Sequence, residues 1–264
     1  MRENGVKRAL ARGELQVGTA FFEFSTPGAP RIAAAAGAQF VFLDTEHTGW
    51  SMDVVRVLVT ASLTAGVVPL VRPAGTAYHL ISQPLDVGAM GLVLPMVEGR
   101  EQAEHIVRSA KYPPEGRRGT AFRIAHDDYL AGDVDLKMAS SNREVLLVAQ
   151  IETAAGLEHA EEIAAVPGID VLWVGQFDLT SSLGIPGQFE NPAYLSALDR
   201  VAEAARSHRK AAGFMVTSER EAALVLSKGY TALAYSGDLW IYQEALEAGI
   251  SGVCELARRE GFAS

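Results

Sequence analysis

Apolar positions in this chain gather into short unbroken runs instead of alternating with polar ones. The runs are Val17–Phe22, Phe40–Leu43, Val67–Val71, Gly91–Leu94, Val145–Ile151, Val171–Val174, Ala212–Val216 and Ala232–Tyr235. A strand with one wet face alternates, so runs apolar on both faces are the pattern of strands buried within a parallel sheet. Between the runs the spacing turns helical. Ser51 to Ala65 places Met52, Val55, Leu58, Val59 and Leu63 on one face, and Ala154 to Val166 and Pro192 to Arg206 are Ala-rich with charges to one side. Pro192 suits a first helical turn. Gly37, Gly66, Gly88 and Gly229 follow such stretches, where helices end. Strand followed by helix, eight times over in 264 residues, predicts a single-domain α/β chain folded as a (β/α)8 TIM barrel spanning residues 1–264. An open doubly wound sheet is the alternative, but no Gly-x-Gly-x-x-Gly follows the first run to support it.

Two stretches stand outside this repeat. Lys111 to Asn142 is irregular and falls between the fourth and fifth strands, which predicts a loop over the barrel mouth. Gly237 to Phe262 reads as extended carboxyl-terminal helix carrying Leu239, Trp240, Ile241, Leu246 and Ile250. That much apolar surface predicts that residues 238–264 pack on, or exchange with, a neighbouring subunit.

Composition narrows the classes of function. A formal net charge of -9 argues against nucleic acid as a partner. The lone Cys254 rules out an intrachain disulfide and suits a reducing compartment. Neither a signal-type apolar stretch in Met1 to Leu15 nor a membrane-length apolar run occurs. A cytoplasmic protein with no membrane partner is the expectation.

In a barrel, chemistry gathers at the carboxyl ends of the strands. Those ends read Asp44-Thr45-Glu46-His47, Arg72-Pro73, Gln150-Ile151-Glu152 and Gly175-Gln176-Phe177-Asp178. Glu152 and Asp178, two carboxylates with no Cys or His beside them, suit a hard cation that keeps waters and binds substrate oxygens. They equally suit rim ion pairs or helix caps. Arg72 begins at the end of a buried strand and needs a partner: a protein carboxylate such as Asp86 or Glu46, or an anionic ligand. His47 is a candidate general base if a carboxylate orients it. His126, in Ala-His-Asp-Asp-Tyr, is held in reserve. Lys7, Lys111, Lys137, Lys210 and Lys228 all lie outside the strands, which argues against Schiff-base chemistry.

These motifs resemble, in order and over most of the chain, the HpcH/HpaI class II pyruvate aldolases. The matching stretches are Leu43 to His47, Val71-Arg72-Pro73, Leu85 to Ala89, Val93 to Val97, Tyr112-Pro113-Pro114, Arg118-Gly119, Gln150-Ile151-Glu152 and Gly175 to Leu179. The resemblance implies a lyase that cleaves a 4-hydroxy-2-oxo acid to pyruvate and an aldehyde, with Mg²⁺, Mn²⁺ or Co²⁺ on Glu152 and Asp178. It further implies that Arg72 contacts the pyruvate keto oxygen and that His47 acts as base, supported by Asp44 or Asp86. Gln150 would position the ligand, backbone amides of Gly175, Gln176 and Phe177 would hold the pyruvate carboxylate, and the chain would assemble as a homo-hexamer. Two departures bear on the aldehyde half: Gln176-Phe177 replaces the family's Pro-Ala, and Thr120 to His126 differs from its usual Ser/Ala-rich stretch. Other outcomes of the same enolate chemistry are decarboxylation of an oxaloacetate-type acid and lysis of an acyl-CoA ester, for which Arg117, Arg118 and Arg123 offer some basic charge. A non-catalytic 2-oxo-acid-binding barrel is the reading from another class.

Overall fold

The structure is a computed structural model and describes residues 2–262; Met1, Ala263 and Ser264, including the last two positions of the predicted 238–264 tail, lie outside the described residues. The strands are β1 (Gln16–Phe21), β2 (Phe40–Asp44), β3 (Val68–Arg72), β4 (Gly91–Leu94), β5 (Leu146–Ile151), β6 (Val171–Val174), β7 (Ala211–Val216) and β8 (Ala232–Gly237). Each pairs in parallel with the next, and β8 closes on β1. The predicted barrel is therefore the observed one, with strand ends shifted by a residue or two.

Closure divides the core in two. One cluster fills the barrel interior, where Phe40, Phe42, Leu70, Val148, Val171 and Trp173 stack in layers; the other lies between strands and helices and includes Val41, Leu43, Leu58, Ile81 and Leu172. The alternation expected of any strand is thus present, but both faces are apolar and the sequence pattern hides it. The interior is shut at its amino-terminal end by the helix Gly5–Ala11, whose Val6 and Leu10 join the inner cluster. Asn4 starts that helix: its side chain accepts from the Lys7 amide at 3.0 Å and donates to the carbonyls of Met90 and Glu144. A buried amide with every donor placed is a strong local anchor.

Helix ends follow the predicted chemistry. Ser51 precedes the helix Met52–Ala65, Asn191 caps Pro192–Ser207 through the Ala193 amide, and Gly37, Gly66, Gly88 and Gly229 all take positive φ. The stretch Ala154 to Val166 differs, dividing into Ala154–Glu158 and Ala160–Ala164.

The segment Lys111 to Asn142 does not cover the mouth. The helix Arg100–Ala110 follows β4 and returns the chain to the amino-terminal end of the barrel before this segment begins. It packs there and along the helix Tyr78–Asp86: Arg118 Nη2 donates to Asp86 at 2.6 Å, and Arg2 pairs with Asp128 at 2.7 Å. Its last part is itself helical, Val134–Glu144, with Asp133 as cap. The expectation of a loop over the mouth fails because a helix, Arg100–Ala110, stands between β4 and this segment.

Candidate active site

The inward parity of each strand continues past the apolar run and delivers the polar groups. Asp44 follows Phe42, Arg72 follows Leu70, and Gln150 and Glu152 follow Val148 on the inner face. The β2–β3 register sets Asp44 directly beside Arg72. Arg72 Nε donates to Asp44 Oδ1 at 2.6 Å and lies 3.2 Å from Glu46 Oε2, and the guanidinium sits 5.1 Å from the centre of the Phe42 ring. Both Asp44 and Arg72 are buried. The partner of Arg72 is therefore Asp44 together with Glu46, not Asp86.

Asp44 also shapes the turn after β2. Its Oδ2 accepts from the His47 amide at 2.9 Å and its Oδ1 from the Glu46 amide at 3.2 Å. His47 is carried out into the pocket, its side chain 58% exposed and its Nε2 3.7 Å from Glu46 Oε2. Burial raises the Glu46 carboxyl above its ordinary value, with Arg72 and His47 pulling the other way. Glu46 was read from sequence only as a possible partner for Arg72; it bridges Arg72 and His47.

Glu152 is 2% exposed. Its Oε1 accepts from the Met96 amide at 2.6 Å and its Oε2 from the side-chain amide of Gln150. Neither donor is charged. Burial, with repulsion from Glu46 and Asp178, outweighs those hydrogen bonds and pushes its pKa up to about 7. Gln150 is buried as well, and its Oε1 has no partner. Met96 holds its amide in place from a left-handed backbone, φ 53°, a contribution that no side-chain motif announces. Gly175 is required beside them, because a Cβ there would collide with Glu152 Oε2 and lie 2.8 Å from Gln150 Nε2.

Asp178 stands exposed on the first turn of the helix Gln176–Ser182 and lines the same cavity. Gln176 turns its amide to the Met215 carbonyl at 3.1 Å. Phe177 borders the cavity but is 67% exposed and packs edge-on against Phe189 at 5.2 Å, so it does not plug the site. The cavity measures about 440 Å³ and takes in His47, Arg72, Gln150, Gly175 and Asp178, a volume suited to a small ligand.

Asp86 does not join this cluster within the chain. It ends the helix Tyr78–Asp86, which runs from the mouth back toward the far end of the barrel, and it faces Arg118 there. His126 is likewise at the far end, its Nε2 3.2 Å from the Tyr112 hydroxyl. Neither Thr120 to His126 nor Arg117, Arg118 and Arg123 borders the mouth cavity.

Fit to a divalent cation can be judged from the donors. Asp44 and Glu46 pair with Arg72, and Glu46 also approaches His47, whereas among the described residues no ion pair engages Glu152 or Asp178. Among the described residues no group of three or more His, Cys, Asp or Glu could enclose an ion. Two carboxylates that leave the remaining positions to water and substrate oxygens fit a hard, open-sited cation.

A closed barrel with acid, guanidinium, amide and imidazole on one rim has the layout of a (β/α)8-barrel active site. The HpcH/HpaI aldolase/citrate lyase family matches residues 19–245, and the chain belongs to that family. It is a carbon–carbon lyase. Over 248 residues it is 32% identical to a 2-keto-3-deoxy-L-rhamnonate aldolase of Salmonella paratyphi B, covering 94% of this chain and 92% of that one. Among solved structures it is similar to an HpcH/HpaI aldolase from Desulfitobacterium hafniense, with TM-score 0.92, 31% identity and coverage of 98% and 99%. It is also similar to citrate synthase SbnG, with TM-score 0.85, 26% identity and coverage of 96% and 98%.

Proposed function

We propose that this chain is a divalent-metal-dependent aldolase that cleaves a 4-hydroxy-2-oxo acid to pyruvate and an aldehyde. The observation that carries the reading is one small pocket onto which Arg72, held from behind by Asp44, converges with Asp178 and with Gln150, itself hydrogen-bonded to the buried Glu152. Cleavage leaves an electron pair on the pyruvate half, delocalised onto the keto oxygen, and that is where positive charge is needed. Mg²⁺, Mn²⁺ or Co²⁺ held by Glu152 and Asp178 would supply Lewis-acid stabilisation of that oxygen.

The protein's own groups do the rest. Asp44 fixes the Arg72 guanidinium from behind, so that its remaining N–H groups face the cavity and the keto oxygen. The same carboxylate pins the His47 turn, and His47 takes the proton of the 4-hydroxyl, directly or through a water, as the C3–C4 bond breaks. The electrons of that bond form the C2=C3 double bond of the enolate, the C2 carbonyl pair moves onto its oxygen, C4 leaves as the aldehyde, and protonation of C3 completes pyruvate. The free Oε1 of Gln150 orients the bound acid, and the first-turn amides of Gln176 and Phe177 receive its carboxylate, the Gly175 amide being bonded to the Ile151 carbonyl at 3.2 Å. Asp86 takes no part in this within one chain. The exposed apolar side chains Ile241, Leu246, Ile250, Val253 and Leu256 on the helix Asp238–Arg259 support a homo-oligomer, a hexamer in the family pattern, in which residues 238–264 pack on or exchange with a neighbour around a single barrel domain. The absence, among the described residues, of a helix able to cross a membrane is consistent with a cytoplasmic site of action.

Likeness to a citrate synthase keeps a second outcome of the same enolate in view, including decarboxylation of an oxaloacetate-type acid. The acyl-CoA reading loses its support, because the arginines offered for it lie away from the mouth. A pure binder has no use for His47. The test is solvent deuterium exchange into the methyl group of pyruvate, followed by NMR with metal and with chelator. Metal-dependent exchange is expected; none under any condition would contradict the enolate reading.

A further inference from the structure

The cavity at the mouth has a second side, and it is built of rings. Phe42 and Trp173 form its floor, one interior layer below Asp44 and Gly175, with their rings 6.2 Å apart. On the β7–β8–β1 arc, across the barrel from Arg72 and Gln150, stand Met215, Phe22 and Trp240. Phe22 and Trp240 come from opposite ends of the sequence and meet at 5.0 Å with their planes at 58°.

That contact is held by construction. Asp238 is buried, and its carboxylate gathers the chain after β1. Oδ1 accepts from the Phe22 amide at 2.9 Å, and Oδ2 accepts from the amides of Glu23 at 3.0 Å and Phe24 at 2.6 Å. Gly237 gives the rings room, since a Cβ there would lie 2.6 Å from Trp240 and 2.9 Å from Phe22. The polar groups on this arc are few. Ser236, Thr217 and Glu244 border the cavity, and the Thr217 hydroxyl is already bonded to Glu221 at 2.9 Å.

We propose that the Phe22–Trp240 pair, locked by Asp238, is the specificity wall for the aldehyde half, and that the acceptor carries an apolar chain, aromatic or branched, in preference to a polyhydroxylated one. The inference rests on the aldolase reading above. With pyruvate on the Arg72–Gln150 side, the substituent on C4 extends toward the rings. An apolar chain gains transfer free energy by covering them. A row of hydroxyls placed there loses water against the rings, with only Ser236 and Glu244 at the border to replace it.

The test is aldol addition of pyruvate by the full chain with saturating Mn²⁺, comparing kcat/KM for phenylacetaldehyde and 3-methylbutanal with that for glyceraldehyde and erythrose. The apolar aldehydes are expected to lead by about tenfold or more, the scale on which an apolar pocket discriminates. Phe22→Ala and Trp240→Ala should bring that ratio toward one, whereas Trp240→Phe should keep most of it. Because the ratio is internal to each preparation, partial loss of folded protein does not change it. Asp238→Asn should raise KM for the apolar aldehydes more than it lowers kcat, as expected of a positioning residue. Equal or better use of the hydroxylated aldehydes, or a ratio unmoved by both alanine variants, would overturn the proposal. Failure of the underlying reading looks different: no deuterium enters pyruvate and no aldehyde gives product.

Discussion

Arg72 is held by a carboxylate that water cannot reach, and this decides how its substitution behaves. Arg72→Ala leaves Asp44 buried and unpaired and should cost about 3–5 kcal/mol of stability, which urea unfolding would measure. Arg72→Lys keeps the charge but loses the fixed fork, and should lower pyruvate formation by roughly 10²–10³ with a smaller change in stability. His47 is solvent-facing, so His47→Ala should leave the unfolding midpoint nearly unchanged while lowering turnover about 10²-fold or more. Unchanged turnover in Arg72→Lys or His47→Ala would remove the role assigned to that residue. Most of this cluster was legible in the sequence. Asp44, Arg72, Gln150 and Glu152 stand at strand ends, and continuing the inward parity of each run points them into the barrel. Two contributions were not legible. The Met96 amide on Glu152 is backbone, and no residue type signals it. Glu46 owes its part to the turn that Asp44 folds, which brings it between Arg72 and His47.

At the scale of elements, the repeat of apolar run and helix specified the barrel because a buried parallel strand has no other sequence pattern. It did not say which end of the barrel a long connection occupies. Lys111 to Asn142 follows a helix rather than a strand, so it returns at the amino-terminal end, and Asp86 is drawn there by Arg118. The helix Gly5–Ala11 is not legible in the sequence, since seven residues with two basic and two large apolar side chains carry little periodicity until Val6 and Leu10 find the barrel floor. Asn4→Ala should therefore destabilise the fold by about 2 kcal/mol, combining a lost cap with the loss of the side-chain bonds to the Glu144 and Met90 carbonyls, the latter keeping the Leu146 amide; a denaturation midpoint equal to the parent's would show that the plug is incidental. At the other end, Gly175→Ala should weaken Mn²⁺ binding by tenfold or more, read by calorimetry, because its methyl displaces Glu152 and Gln150 together. Retained affinity would mean that Glu152 is not a ligand.

For the whole molecule, the far end of the barrel adds a dependence on pH. His126 sits against Tyr112, Phe122 and Arg118, with Asp127, Asp86 and Lys137 nearby, and its Nδ1 is buried without a partner. Burial first, and Arg118 second, lower its pKa from 6.5 to about 4. The folded chain thus binds fewer protons than the unfolded chain between those values. Stability is full above pH 6.5 and falls as the pH drops toward 4, with little further contribution from this group below that. Urea midpoints taken across this window should fall more steeply for the parent than for His126→Gln, and parallel curves would contradict the assignment. The other end of the barrel is the mouth, proposed above to split a carbon–carbon bond next to pyruvate. The most direct test of that proposal is pyruvate release from a panel of 4-hydroxy-2-oxo acids, coupled to lactate dehydrogenase, with Mn²⁺, with Mg²⁺ and with chelator. Pyruvate is expected from at least one acid with metal and from none with chelator. Undiminished release in chelator, or no release from any acid with metal, would contradict it.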